Sequence, residues 1–360
     1  MRLSHFESFA PVCPSCRAAE RGEQRLVLAR IEARADGTVR EGFLHCPAPE
    51  CRLEFPIIDG VPIIVPDVAA YLSHHLATVL ARDDLSGAME SLLGDAVGSG
   101  TPFDATRLHL SSYVRDHYGA HDPAEKRDRT AAPGAVLRCL EAGMALLGEE
   151  RWEGHALDIG CAPGRIAQAL AERADGLVLG VDLNFTMLRL AQRLLATGRV
   201  AYPRRRIGLV YDRREFAVPV ARPEALDYWC CDALALPFAA RSFGLIAAMN
   251  VLDAVQTPHM LLASLAALLR PGGGAVLVTP YDWSTQAANT AVWIGGHSQR
   301  GGYGGAAEPL IRDLLTPGAH PLAVSGLTIV GEVSRFPWRV RLHDRSAVDY
   351  RVHILALRAN

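Results

Sequence analysis

The stretch that most constrains this chain is 155–171, HALDIGCAPGRIAQALA. An apolar run stops at a turn of small residues, and a helical pattern starts at once. Gly160 and Gly164 allow a sharp turn and close approach of a ligand to main-chain N–H groups. The helix that follows presents its positive end to that turn. Such a strand–turn–helix is the first βα unit of an open α/β sheet. A second buried-strand pattern, 177–181, ends in Asp182, and a carboxylate at that tip suits the two hydroxyls of a ribose.

The turn carries only two glycines, so it departs from the three-glycine turn that holds a pyrophosphate. An acid, Asp158, stands just before it. Together these favour a nucleoside with an ammonium group and no phosphate. S-adenosylmethionine (SAM) is such a molecule. The third strand pattern, 226–231, ends at Asp232 and Ala233, where a carboxylate can accept from an adenine amino group. A fourth, 243–249, delivers Asn250 and Val251 to the same edge. A helix, the run RPGGG and a fifth strand, 275–279, follow. This succession over 155–280 resembles the class I SAM-dependent methyltransferases. The resemblance implies a Rossmann-like seven-stranded α/β sheet. It implies a cofactor site of Asp158, Gly160, Cys161, Ala162, Gly164, Asp182, Leu183, Asp232, Ala233, Asn250 and Val251.

The first 66 residues read as a separate module. Cys13 and Cys16 form one local pair, Cys46 and Cys51 a second, and two strand-like arms, 25–33 and 38–44, join them. Four thiols so arranged suit tetrahedral zinc; a ribbon held by packing alone is the alternative. The run 51–67, CRLEFPIIDGVPIIVPD, resembles the small zinc-ribbon proteins that activate tRNA and protein methyltransferases. Residues 67–133 read as a helical connector and lid, with Tyr113 and Tyr118 as lid residues or as parts of a packed helix. Residues 134–360 then form the catalytic domain. Within it, the basic run 204–206 reads as a solvated face, and Cys230 and Cys231 as buried strand residues.

After the fifth strand come TPYDW, WIGG and, near the end, an Arg-x-His-x-Arg stretch; HYG at 117–119 precedes the domain. Here the chain resembles the mercaptohistidine N-methyltransferase domain of the ovothiol pathway, with GCAPG replacing a more usual GCAVG. Tyr281, Trp283 and Trp293 are candidate pocket aromatics. Arg341, with Arg339, is a candidate clamp for a substrate carboxylate, and His343 a candidate substrate contact. No catalytic residue is assigned.

The reading is methyl transfer to nitrogen or sulfur of a small amino-acid-like or heteroaromatic molecule. One alternative is RNA or a protein tail gripped by the ribbon. Another is a non-catalytic SAM-binding partner subunit. The net charge of −2 does not point to nucleic acid. No apolar run reaches the roughly 18 residues of a membrane span. The N-terminus lacks a signal-peptide pattern, so the expectation is a cytoplasmic protein whose eight cysteines serve metal binding or packing. Oligomeric state is not legible.

Overall fold

The computed structural model describes residues 1–125 and 132–360. Residues 126–131, inside the expected connector, lie outside the described residues. The strands are β1 (Val27–Ala35), β2 (Thr38–His45), β3 (Glu54–Ile58), β4 (Val61–Ile64), β5 (His155–Ile159), β6 (Val178–Asp182), β7 (Arg199–Ile207), β8 (Val210–Ala217), β9 (Leu226–Cys231), β10 (Phe243–Met249), β11 (Leu269–Thr279), β12 (Leu327–His343) and β13 (Ser346–Ala359). The helices are α1 (Leu3–Phe9), α2 (Pro14–Ala18), α3 (Val68–Val79), α4 (Gly87–Val97), α5 (Pro102–Tyr118), α6 (Ala135–Leu147), α7 (Arg165–Ala171), α8 (Phe185–Thr197), α9 (Pro258–Leu268) and α10 (Ala307–Leu314).

One sheet of eleven strands runs β1-β2-β3-β4-β9-β6-β5-β10-β11-β13-β12. Its last seven members are a Rossmann-like sheet with β13 inserted antiparallel between β11 and β12. Strands β9, β6, β5, β10 and β11 are parallel. The first four of these are apolar apart from Asp158, Asp182, Asp227 and the half-buried His155, because helices cover both faces. The order reverses at β5, so the carboxyl ends of β5, β6, β9 and β10 open onto one crevice.

The sheet has eleven strands rather than the expected seven because the N-terminal strands continue it. β4 pairs in parallel with β9, Ile63 opposite Cys230 and Ile64 opposite Cys231. Phe9 packs against Trp229, Phe238 and Phe243 at centroid distances of 6.0, 5.9 and 5.6 Å. Arg17 donates to the carbonyls of Leu236 and Phe238 at 2.7 and 2.8 Å. Buried Asp227 accepts from the Arg2 backbone, Gln192 and Trp229, at 2.8, 2.6 and 2.9 Å. A buried carboxylate is tolerable when its lone pairs are filled in this way.

Local chemistry sets the helix that will wall the site. Thr101 caps α5, its Oγ1 accepting from Asp104 N at 3.3 Å, and Pro102 occupies the first turn. The stretch 197–223 is a β7–β8 hairpin. Its Val200, Tyr202 and Phe216 join Val114 and Tyr118 of α5 and Leu194 of α8 in a second small core. Of the basic run, Arg204 is largely buried, 3.0 Å from Asp344, and Arg206 is exposed beside Asp212 at 3.8 Å. Among the described residues no helix is long and apolar enough to cross a membrane.

Candidate active site

A cleft of about 500 Å³ opens at the carboxyl ends of β5, β6, β9 and β10. Its wall includes Gly160, Ala162, Asp182, Leu183, Asp232, Ala233, Asn250 and Val251. Gly160 has φ +70°, and a Cβ there would overlap Val251 Cγ2, so only glycine leaves this wall open. Asp182 is fixed from both sides: Oδ2 accepts from Ala162 N at 2.9 Å and Oδ1 from Asn184 N at 2.8 Å. Burial pushes its carboxyl above the usual range, and those N–H groups oppose the shift. Asp232 Oδ1 accepts from Leu234 N at 2.9 Å. A carboxylate oxygen can accept more than one hydrogen bond, so both acids keep free acceptor sites. Asn250, at φ +56°, carries a buried Oδ1 with no partner among the described residues.

Three of the eleven sequence-derived cofactor residues lie elsewhere. Cys161 lines a neighbouring chamber. Gly164 is beneath the turn at φ +92°, where a Cβ would come within 2.6 Å of the Tyr228 ring. Asp158 is fully buried behind the turn, Oδ2 accepting from Ala167 N at 2.8 Å and Oδ1 unpartnered among the described residues. Burial lifts its pKa to about 8, with Asp182's charge adding and the Ala167 bond opposing. An acid at a strand's end reads as ligand-facing in sequence; here it pins the first turn of α7.

The chamber, about 210 Å³, shares Gly160, Ala162, Met249, Asn250, His109 and Tyr113 with the cleft. Its remaining wall comes from α5 (Ser112, Asp116, His117), Val136 of α6, Cys161 and Ile166 at the turn and start of α7, β12 (Trp338, Val340, Leu342) and Tyr350 of β13. The Asp116 carboxylate is occupied, accepting from Ala135 and Val136 N at 2.8 and 3.1 Å at the start of α6. Burial, with Arg165 beside it, lowers His117 to about 3, so its imidazole is neutral at ordinary pH. Its Nδ1 lies 3.4 Å from Arg165 N, leaving the ring proton on Nε2.

Only Tyr113 among the sequence-derived substrate residues lines this chamber. Tyr118 is fully buried, donating to Pro163 O at 2.7 Å and accepting from Gln168 at 2.9 Å, a strut under the turn. Tyr281, Trp283 and Trp293 form a separate cluster. Trp283 stacks on Trp293 at 6.1 Å, and the Tyr281 hydroxyl meets His353 Nδ1 at 2.6 Å. Arg341 is buried against Arg205 O at 2.6 Å, and Asp344. His343 Nδ1 accepts from Arg345 N at 3.2 Å. The physical reason is strand alternation: 338, 340 and 342 face the chamber, so 339, 341 and 343 face away. The even-numbered W-V-L pattern is the sequence signal for this wall. On α5 it is the stripe His109, Ser112, Tyr113, Asp116, which shares one helical face.

Cys13, Cys16, Cys46 and Cys51 converge, all four sulfurs within 4.8 Å of one another. Cys13–Cys51 and Cys16–Cys46 sulfurs are 3.8 and 3.7 Å apart.

The fold order and crevice define a class, and the family comparison agrees: residues 157–277 match the methyltransferase domain family. This segment is similar to that methyltransferase domain family and forms the centre of a Rossmann-like sheet. Among curated proteins, the chain is 26% identical over 137 residues to the ubiquinone biosynthesis O-methyltransferase of Coxiella burnetii. That match covers 38% of this chain and 46% of the relative, so the chain spans about half the length of the curated relatives it matches. Among solved structures, Haemonchus contortus phosphoethanolamine N-methyltransferase 2 with S-adenosyl-L-methionine is 19% identical, covering 50% of this chain and 34% of that one, TM-score 0.35. A structure concerning conversion of a disulfide bond into a thioacetal group during echinomycin biosynthesis is 17% identical, covering 69% and 91%, TM-score 0.41.

Proposed function

We propose that the chain transfers a methyl group from SAM to a nitrogen or sulfur atom of a small amino-acid-like or heteroaromatic molecule. The observation that carries this reading is the shared wall between the cleft and the chamber, through Gly160, Asn250 and Tyr113. Asp182 would hold the ribose hydroxyls, and Asp232 the adenine amino group between Leu183, Ala233 and Val251. The orphaned Asn250 Oδ1 is an acceptor suited to the amino-acid ammonium. When bound, SAM supplies an electrophilic methyl on a sulfonium.

The protein's part is aim and dryness. Trp338, Val340 and Leu342 strip water from the acceptor, and Tyr113 and Tyr350 present rings beside it. Holding two reactants in line supplies most of such a reaction's acceleration. Aromatic faces also favour a sulfonium. Neutral His117 offers an N–H for orientation, and exposed His109, at the mouth of both spaces, can accept a proton from a nitrogen acceptor.

We read the four thiols as a structural zinc site. A tetrahedral site with Zn–S of about 2.3 Å has edges of about 3.8 Å, matching the Cys13–Cys51 and Cys16–Cys46 sulfur pairs. The ribbon then acts as an in-chain brace, akin to the separate activators it resembles, fixing β4 against the strand that ends at Asp232.

The test is methyl transfer from labelled SAM to imidazole- and thiol-bearing amino acids, with phenols, bulk RNA and peptide tails as comparison acceptors. Transfer to a nitrogen or sulfur compound is expected. Transfer confined to phenols, RNA or peptides overturns the substrate class, and SAM binding without transfer to any acceptor favours a non-catalytic subunit. The curated relatives, named as O-methyltransferases, make the phenol arm necessary.

A further inference from the structure

A separate cavity of about 280 Å³ lies between α3, α4 and α5 on one side and α8 and the β7–β8 hairpin on the other. Phe103, Leu110, Leu190 and Pro203 give it apolar walls. Six arginines also reach it: Arg82, Arg107, Arg189, Arg193, Arg199 and Arg213. Five are ion-paired, with Asp84, Asp59, Asp83, Glu215 and Glu90 respectively once Arg107 is set aside.

Arg107 is different. It is 4% exposed, and its Nε and Nη1 reach no acceptor among the described residues. It lies flat, Cζ 3.8 Å from the Tyr211 ring centroid and 5.4 Å from that of Phe103. Any Cβ at Gly94 would overlap Nη1, so the group is boxed in on that side. Glu90 feels its charge but is bonded to Arg213 at 3.1 Å.

A guanidinium keeps its proton, so it cannot shed the cost of burial by becoming neutral. An unpaired buried charge is expensive, and an anion arriving beside it removes that expense. The planar fork matches a carboxylate. With the other five arginines ion-paired, one guanidinium without a hydrogen-bond partner beside Phe103, Leu110 and Leu190 matches a monoanion with an apolar body better than a dianionic phosphate. The volume, at the low end for ligand pockets, limits its size.

We propose that this cavity binds a small amphiphilic carboxylate, its head on Arg107 and its body against Phe103, Leu110 and Leu190. The proposal stands apart from the methyl-transfer reading. The probe is octanoate, titrated calorimetrically into the full chain, with octanol as the uncharged control. Octanoate should bind one per chain, and octanol at least tenfold more weakly. Arg107→Gln should weaken octanoate at least tenfold while leaving S-adenosylhomocysteine affinity unchanged. Ala77→Trp, which fills the exposed mouth with Arg107 intact, should also abolish octanoate binding, and decides the matter if Arg107→Gln does not fold. Absence of saturable octanoate binding, equal binding of octanol, undiminished binding to either variant, or displacement of octanoate by S-adenosylhomocysteine overturns the proposal.

Discussion

Replacing Asp158 with asparagine should alter the pH dependence of stability more than stability at any one pH. The carboxyl is fully buried, with one oxygen bonded to Ala167 N and the other unpartnered among the described residues. Burial raises its pKa from 3.8 to about 8. Between those values the unfolded chain gives up a proton that the folded chain keeps. The unfolded state therefore binds fewer protons, and stability falls as pH rises through the window. At about 1.4 kcal/mol per pKa unit, the limit is about 5 to 6 kcal/mol. Protein interiors respond to charge as if far more polar than dry protein, so about half that is the working figure. The amide introduced by Asp158→Asn has no such proton, and its oxygen can still accept from Ala167. Denaturant melts of both proteins at pH 5, 6.5 and 8 isolate this group together with its coupling to Asp182, since titrations remote from it cancel in the difference. The difference should move in the variant's favour by roughly 2 kcal/mol from pH 5 to 8 and level off above. A difference that stays constant across the range refutes the buried, neutral carboxyl.

Cys46→Ser should drop bound zinc, measured by elemental analysis, from one per chain to a small fraction and lower the melting temperature, because the ribbon carries β4. Gly164→Ala should cost about 3 kcal/mol, from left-handed backbone strain plus collision with Tyr228, read in thermal melts; a loss below about 0.5 kcal/mol contradicts the packing. Val340→Trp should fill the chamber, leaving S-adenosylhomocysteine affinity within about twofold while reducing methyl transfer about a hundredfold, the signature of blocked acceptor positioning. Equal transfer by that variant would place the acceptor elsewhere.

Local pattern made much of the sheet legible. The runs 155–159, 178–182, 226–231 and 243–249 are short and mostly apolar, and the small-residue turn at 160–164 marks where the crevice opens. Burial and facing were less legible. Alternation along 338–343 separates two faces, but only the pairing of β12 with β13, Val340 opposite Val348, turns the tryptophan face to the chamber and Arg341 away from it, buried against Arg205 and Asp344. Tyr118 and Asp158 look like ligand residues in sequence because nothing local reports that Pro163, Gln168 and Ala167 occupy their polar atoms. The addition of the ribbon to the sheet rests on Ile63 meeting Cys230, a long-range pairing that no short motif encodes. The α5 stripe was present in sequence, yet its facing depends on the hairpin packed against its other side.

The central claim is that the strand-tip crevice holds SAM through Asp182. Calorimetric titration of S-adenosylhomocysteine into the protein and into Asp182→Ala tests it most directly. Losing two charge-assisted hydrogen bonds, each worth about 1.5 to 3 kcal/mol, should weaken binding at least about a hundredfold from a one-to-one complex. No binding to the folded wild-type protein, or equal affinity in the variant, contradicts the account.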